Sequence, residues 1–208
     1  MIRVEGVHRT YENLELAMQG EFQVENAALA VASIDLLAGF GMLDAPPSAI
    51  RKGLMVEVPG RFEIIQQKPT VILDGAHNLH KAQALAASLE KQFPGRKMTI
   101  ILGTLSIKDF SGIIKALAPI AKKWIATQPH VFGKPAASPS ELAAVIRKVT
   151  PHLEIVETPD VRTAVKHIRT TAWADEVIVI TGSLYLLGEA RGMWYPVDKM
   201  LAEIESRE

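Results

Sequence analysis

Residues 71–78 read Val71-Ile72-Leu73-Asp74-Gly75-Ala76-His77-Asn78, and an alanine-rich helical pattern follows them. A short apolar run before a helical pattern is typical of a strand that leads into a helix, and α/β folds place their chemistry at such turns. The start of a helix offers free N–H groups and partial positive charge to an anion. A purely structural interpretation competes with this one, because Asp or Asn here commonly caps the helix and a single His is commonly structural.

The chain from residue 58 onward alternates short β-rich runs with helical patterns. Strands that alternate with helices of about 10 to 15 residues indicate βαβ units and a mostly parallel sheet. We therefore expect a Rossmann-like α/β domain, with helices flanking the sheet, over residues 58–208. The predicted strands are 62–66, 70–73, 98–102, 124–127, 153–156 and 177–180, and the predicted helices are 77–92, 110–122, 139–149 and 161–172, with a further pair from 184 to the end.

Residues 1–57 differ in pattern and are predicted as a separate domain, which ends before the break Val58-Pro59-Gly60. The helical pattern over 26–40 is apolar nearly all round, so we expect this helix to be buried on most sides. Asn26 precedes it and would act as its cap. The other predicted elements are short strands around 2–4 and 14–18 and a helix over 44–55.

The composition is that of an ordinary globular protein, with 48% hydrophobic residues in a chain of 208. Lys plus Arg and Asp plus Glu each number 23, so no charge excess points to nucleic acid or to an anionic membrane. Because cysteine is absent, disulfides, thiolate nucleophiles and zinc–thiolate sites are excluded. No secretory signal is visible and no apolar run approaches the length of about 18 residues that a membrane span needs, so a cytoplasmic protein is expected.

Three polar, glycine-bearing segments each follow the carboxyl end of an apolar run. They comprise residues 74–78, 103–109 and 181–183. Parallel strands bring such ends to one edge of the sheet, so the three segments could form one shared site. Lys108 could neutralise phosphate charge there, and Ser183 could present its hydroxyl at the start of a helix. The alternatives are a helix cap for Ser183 and a solvated pair of Lys108 with Asp109.

Arg61 follows the break between the two predicted domains, where a guanidinium facing a cleft could hold a phosphate with two parallel hydrogen bonds. A solvated arginine at a linker is the alternative. Neither the GxxxxGK[ST] phosphate loop nor the GxGxxG fingerprint occurs, so a complete nucleotide site is not visible. His77 and His80 could ligate a metal with Asp74, but their spacing falls short of the stronger zinc patterns, and we expect no dedicated metal site.

Four segments together match one family in order and spacing. They are Gly20-Glu21-Phe22-Gln23-Val24-Glu25-Asn26-Ala27-Ala28, Pro59-Gly60-Arg61-Phe62-Glu63, Asp74-Gly75-Ala76-His77-Asn78 and Thr181-Gly182-Ser183-Leu184-Tyr185. They resemble folylpolyglutamate synthase and dihydrofolate synthase, which belong to the Mur ligase superfamily. The resemblance implies that residues 1–57 are the end of a central ATPase domain and that residues 58–208 form the C-terminal, glutamate-side domain.

The resemblance implies an ATP-dependent ligation. The γ-carboxyl of a folate, or the carboxyl of dihydropteroate, is phosphorylated, and the amine of L-glutamate attacks the acyl phosphate. ATP and Mg²⁺ are the implied cofactors. The phosphate loop and the magnesium ligands would lie upstream of the segment present, so we expect this chain to be inactive alone.

Site residues also follow from the resemblance. A phosphoryl transfer needs cationic groups and positioning more than a covalent nucleophile, which suits this set. The implied contacts with ATP are Asn26, Arg61 and Asp74, and the positions near L-glutamate and the reacting centre are His77 and Ser183. The candidate catalytic residues are His77, from the resemblance, and Lys108, from its place after an apolar run.

Three residues depart from the family pattern: Phe22 stands where His is usual, Leu79 where Pro is usual and Ile107 where Asp is common. The first and third substitutions remove polar groups from segments that face the site. An alternative is therefore a self-sufficient, non-catalytic binding module for another small ligand, and a third possibility is a different Mur-type ligase, although residues 181–185 favour the folate branch. The choice between folate and dihydropteroate stays open, as does a dimer formed through the helix over 26–40.

Overall fold

The computed structural model of the protein describes residues 1–196, which divide into two compact units that meet in sequence between Arg61 and Phe62. The predicted domain limits of 1–57 and 58–208 stay a prediction. The second helix expected after residue 184 would fall largely on 197–208, which lie outside the described residues. No helix within 1–196 is both long and apolar enough to cross a membrane.

The first unit consists of a β-hairpin and two helices around a small apolar core. Strands β1 (Ile2–Glu5) and β2 (Thr10–Leu14) are antiparallel, and helices α1 (Glu21–Gly39) and α2 (Pro47–Leu54) follow. Pro47 stands in the first turn of α2, where its missing N–H costs little. The core residues of this unit are Val4, Tyr11, Leu14, Ala27, Val31, Ile50 and Leu54.

Two predictions about α1 are wrong. The helix begins at Glu21 after Gly20, so Asn26 lies inside it and is not its cap. Its buried residues, spaced four apart, form a single stripe, and Leu29 on another side is 70% exposed. The periodicity identified an apolar helix, but in this unit only one face of α1 has a partner, whereas burial on most sides was expected.

A buried carboxylate holds the hairpin turn to α1. Asp35 Oδ2 accepts the backbone N–H of His8 at 2.6 Å, and Asp35 Oδ1 accepts the hydroxyl of Tyr11 at 2.9 Å. The backbone N–H of His8, and then the hydroxyl of Tyr11, lower the pKa of Asp35, while its burial acts in the opposite direction. The turn between β1 and β2 is therefore fixed by an ionised side chain from another element.

The second unit is built on a six-stranded sheet with the order β3-β4-β8-β5-β6-β7. Strand β3 is antiparallel to β4, and the other neighbours are parallel. This arrangement confirms the predicted α/β class with a mostly parallel sheet. The elements are β3 (Glu63–Gln67), β4 (Thr70–Asp74), α3 (Leu79–Gln92), β5 (Met98–Leu102), α4 (Phe110–Leu117), β6 (Ala121–Ala126), α5 (Pro139–Val149), β7 (Glu154–Glu157), α6 (Val161–Thr171), β8 (Val177–Thr181) and α7 (Leu184–Arg191).

Apolar side chains cover both faces of this sheet because the strands are apolar at consecutive positions and side chains alternate along a strand. Ile100 and Leu102 of β5 join the cluster under α3, α4 and α5. Ile101 of the same strand joins the cluster under α6 and α7. The second unit is thus a three-layer sandwich, with three helices on one face and two on the other.

The predicted helix over 110–122 is wrong at its end. Helix α4 stops at Leu117, a 3₁₀ turn covers Ala118–Ile120, and β6 already begins at Ala121. Pro119 explains the difference, since proline has no N–H to continue an α-helical ladder. The error moves the start of β6 but leaves its carboxyl end, which faces the candidate site, close to the predicted position.

Candidate functional site

A pocket of about 470 Å³ lies at the carboxyl edge of the sheet in the second unit. Strands β4, β8 and β5 are neighbours there, and their following helices leave toward opposite faces, which opens a crevice between the loops. The segment after β6 supplies a further wall. The lining residues are His77, Thr104, Leu105, Ile107, Lys108, Gly133, Lys134, Pro135, Gly182, Ser183, Leu184 and Tyr185.

The loop after β4 is organised by Asp74, which is only 3% exposed. Its Oδ1 accepts the N–H of Ala76 and its Oδ2 accepts the N–H of Phe62, both at 2.9 Å. Phe62 has a φ of +50°, a region that few residues other than glycine adopt, and its ring is buried in the core. Asp74 therefore fixes two turns of backbone, and it does not line the pocket.

His77 lies on that loop, and a backbone carbonyl holds one of its two ring nitrogens. Its Nδ1 lies 2.9 Å from the carbonyl oxygen of Gly75. A carbonyl can only accept, so this contact assigns the hydrogen to Nδ1 and makes Nε2 the acceptor of the neutral ring. Asn78 caps α3 by accepting the N–H of Lys81, so the pentapeptide contains both a helix cap and a pocket-lining imidazole.

Ser183 and Gly182 form the wall that follows β8. Gly182 has a φ of +109°, and a Cβ on it would lie 2.6 Å from the carbonyl oxygen of Gly103. Only glycine permits this close approach of the two loops. The hydroxyl of Ser183 accepts the N–H of Tyr185 at 3.2 Å and caps α7. The cap uses the oxygen as acceptor, so the hydroxyl hydrogen can still be donated to a ligand.

The loop after β5 is supported by the segment after β6. The N–H of Ser106 donates to the carbonyl of Pro135, and the N–H of Ala137 donates to the carbonyl of Thr104, each at 3.0 Å. Asp109 caps α4 by accepting the N–H of Gly112 through Oδ1. Lys108 itself lines the pocket.

The pocket is cationic in its side chains. Within the described part of the chain its lining includes Lys108, Lys134 and His77 but no Asp or Glu. Thr104 also lines it, and the buried hydroxyl of this residue has no hydrogen-bond partner in residues 1–196. An unpaired buried hydroxyl costs free energy, so a polar ligand that reached it would relieve that cost. The site suits an anion with additional hydrogen-bonding groups.

Sequence reasoning missed part of this pocket. Lys134 lies in the long connection between β6 and α5, and its Nζ lies 2.5 Å from the hydroxyl of Tyr185. The resemblance covered Tyr185 but assigned it no role. The available signal was that residues 127–138 also follow the carboxyl end of a buried strand, as the other three segments do.

The remaining predicted site residues belong to the first unit. Asn26 is on α1 and donates through its side-chain nitrogen to Oε1 of Gln23 at 3.0 Å. Arg61 is the last residue of that unit. Of the second-unit residues, the structure brings His77, Lys108 and Ser183 to one pocket and leaves Asp74 outside its lining. In the described residues no group of three His, Asp or Glu side chains could hold a metal ion.

Comparison with known proteins gives consistent matches. Residues 60–184 match the family described as Mur ligase, glutamate ligase domain. The chain is 32% identical to the dihydrofolate synthase/folylpolyglutamate synthase of Mycobacterium tuberculosis, over 93% of this chain and 42% of that protein. A Bacillus subtilis protein of the same name is 29% identical over 88% of this chain and 41% of its own length.

Solved structures agree. The folylpolyglutamate synthase of M. tuberculosis complexed with ADP superposes with a TM-score of 0.78 at 30% identity, over 92% of this chain and 44% of that one. A bifunctional folylpolyglutamate synthase/dihydrofolate synthase with Mn, AMPPNP and L-glutamate bound gives 0.73 at 26% identity, over 92% and 43% of the two chains. The protein thus spans less than half the length of these relatives.

Proposed function

The chain belongs to the Mur ligase family through a glutamate ligase domain, and we propose that it is the glutamate-side part of an ATP-dependent folate ligase. In the reaction the carboxyl of a folate or of dihydropteroate takes the γ-phosphoryl group of ATP. The amine of L-glutamate then attacks the acyl carbon, and inorganic phosphate leaves as the amide forms. Residues 1–57 would be the end of the ATPase domain of the same enzyme.

The observation that carries this proposal is the pocket at the carboxyl edge of the sheet, whose lining within residues 1–196 combines two lysines, a histidine and a helix start with no Asp or Glu. L-glutamate brings two carboxylates, and such a lining avoids repelling them. A relative of the same fold has L-glutamate and a nucleotide analogue bound, which supports the same pairing of ligands here.

Three of the lining residues have separate parts in the proposed reaction. His77 is oriented by Gly75 so that Nε2 can accept a proton from the ammonium of glutamate, which must become an amine before it attacks. Lys108 stabilises the negative charge that develops on the acyl phosphate. Ser183 donates its hydroxyl to a carboxylate of the amino acid.

The nucleotide would be contacted by Asn26, Arg61 and Asp74. The described residues offer no cluster for a metal ion, and both oxygens of Asp74 already accept backbone N–H groups. The described residues do not form a magnesium centre by themselves, so we propose that Mg²⁺ is held mainly by residues outside this chain. A cytoplasmic location and a dimer through α1 remain predictions.

Calorimetric titration with L-glutamate tests the pocket. We expect the 208-residue chain to bind L-glutamate, and His77→Ala and Ser183→Ala to weaken that binding, while His152→Ala, an exposed histidine outside the pocket, leaves it unchanged. Failure of the chain to bind L-glutamate would contradict the assignment of the pocket.

Enzyme assays test the remainder of the proposal. We expect no ATP hydrolysis or glutamate addition by this chain alone, and loss of activity in a longer protein when Arg61, Asp74 or His77 is replaced by Ala. Steady ligase turnover by the chain alone would contradict its role as one part of a larger active site. The comparisons do not favour the alternative of a non-catalytic binding module.

A further inference from the structure

The segment of residues 128–135, between β6 and α5, is fastened to helix α7 at two points. The N–H of His130 donates to Oε1 of Glu189 at 2.7 Å, and its Nδ1 lies 3.4 Å from Oε2 of the same carboxylate. The ammonium of Lys134 donates to the hydroxyl of Tyr185 at 2.5 Å. Residues four apart on a helix share one face, so Tyr185 and Glu189 together hold this wall of the pocket.

Lys134 has an unusual partner for a cation in a pocket. Its Nζ also lies 4.9 Å from the centre of the Tyr185 ring, so within residues 1–196 the ammonium contacts a phenol through both the hydroxyl and the ring. The hydrogen bond from this ammonium to Tyr185 is already charge-assisted, but the phenol carries no net charge. A carboxylate that entered the pocket would add the Coulomb attraction between two opposite unit charges, which favours its taking Lys134 from Tyr185.

The number of lysines in the pocket indicates how many anionic groups its ligands carry. Lys108 follows β5 and Lys134 follows β6, so two cations reach the pocket from neighbouring strands with no acid in its described lining. In the proposed reaction Lys108 stabilises the acyl phosphate, and the hydroxyl of Ser183 donates to one carboxylate of the amino acid. The second cation then remains for a second anionic group on the same ligand.

We propose that Lys134 is a specificity-determining residue that binds the side-chain carboxylate of a dicarboxylic amino acid, and that Tyr185 holds its ammonium in place until the ligand arrives. Glu189 positions the segment through His130 without touching the ligand. This inference rests on the proposed function, because it assigns one carboxylate of L-glutamate to a residue of the same pocket.

The test compares two ligands that differ in one group. L-glutamate and L-norvaline share the amine and the α-carboxylate, but norvaline ends in a methyl group. We expect Lys134→Met to weaken L-glutamate binding about tenfold or more, as for a lost charged hydrogen bond, and to leave L-norvaline binding within about twofold. Lys134→Arg should restore most of the preference. Lys166→Met, an exposed lysine on α6, is the matched control and should change neither affinity.

Two results would overturn the inference while the proposed function stands: unchanged L-glutamate binding in Lys134→Met, or an equal loss for both amino acids. Glutarate, which has two carboxylates and no amine, tests the carboxylate contact without the amine, and we expect Lys134→Met to weaken its binding as well. A wild-type chain that binds glutarate but not L-glutamate would contradict the proposed function and the inference with it, because L-glutamate would not be the ligand. A wild-type chain that binds neither would overturn both.

Discussion

The two compact units bury their apolar residues in different ways. The first unit has one small cluster and fixes its hairpin turn with the carboxylate of Asp35. The second unit buries both faces of a parallel sheet under helices. A small core supplies little hydrophobic free energy, so directed polar contacts carry a larger share of the organisation there. In the second unit packing dominates, although Asp74 fixes two turns there in the same way, and the polar side chains of the pocket lie at the carboxyl edge of the sheet.

Removal of a buried leucine from each unit should have the largest effect and should separate them. Leu85 and Leu14 are both fully buried. We expect Leu85→Ala to lower the free energy of unfolding of the second unit by about 4 kcal/mol, and Leu14→Ala to cost the first unit about 2 to 3 kcal/mol, because a small core can collapse around the cavity. Urea unfolding measures both, and a larger cost for Leu14 would contradict the comparison.

Substitution of Gly182 by alanine should have the next largest effect on stability. Its positive φ and the 2.6 Å approach to the Gly103 carbonyl leave no room for a side chain. We expect Gly182→Ala to lower the free energy of unfolding by about 3 kcal/mol and to weaken ligand binding in the pocket. Gly95→Ala is the control, since Gly95 also has a positive φ but has open space around it, and it should cost about 1 kcal/mol. Equal changes in melting temperature for Gly182→Ala and Gly95→Ala would refute close packing at the pocket wall.

The stability of the first unit at low pH tests how much the carboxylate of Asp35 contributes to its hairpin turn. The N–H of His8 is the largest influence that lowers the pKa of folded Asp35, so this side chain contributes stability above its unfolded pKa of about 3.9. That contribution is lost as the pH falls through the folded pKa. Asp35→Asn should destabilise the first unit at pH 7 and flatten its pH dependence below pH 5, measured by NMR or circular dichroism. Asp44→Asn, at an exposed position, should do neither.

Substitution of a residue that caps a helix start should have the smallest effect on stability. Helix α5 begins with a capping box between Ser138 and Glu141, whereas α1 begins after Gly20 with no side-chain cap. We expect Ser138→Ala to cost about 1 kcal/mol. Ser33→Ala within α1 should be nearly neutral, because the exposed Ser33 hydroxyl only bonds back to the carbonyl of Leu29. A shift in the urea midpoint for Ser33→Ala as large as that for Ser138→Ala would contradict this ranking.

Local sequence patterns predicted the limits of an element correctly where residue type and hydrophobic periodicity indicate the same boundary. The strand at 98–102 and the helix at 139–149 have the predicted limits, the first from a continuous apolar run and the second from a proline after a serine cap. The carboxyl-edge placement of His77, Lys108 and Ser183 also followed from strand polarity. The contact of Lys134 with Tyr185 could not be predicted, because it joins residues 51 apart that no local pattern connects.

The position of β8 has a consequence for how the protein is made. This strand is the last of the sheet in chain order, yet it lies between β4 and β5. During synthesis β4 and β5 must wait, with unpaired edges and exposed apolar faces, until residues 177–181 leave the ribosome. Unpaired edges invite pairing with other chains. We therefore expect nascent chains that stall before β8 to aggregate readily and to require chaperone protection.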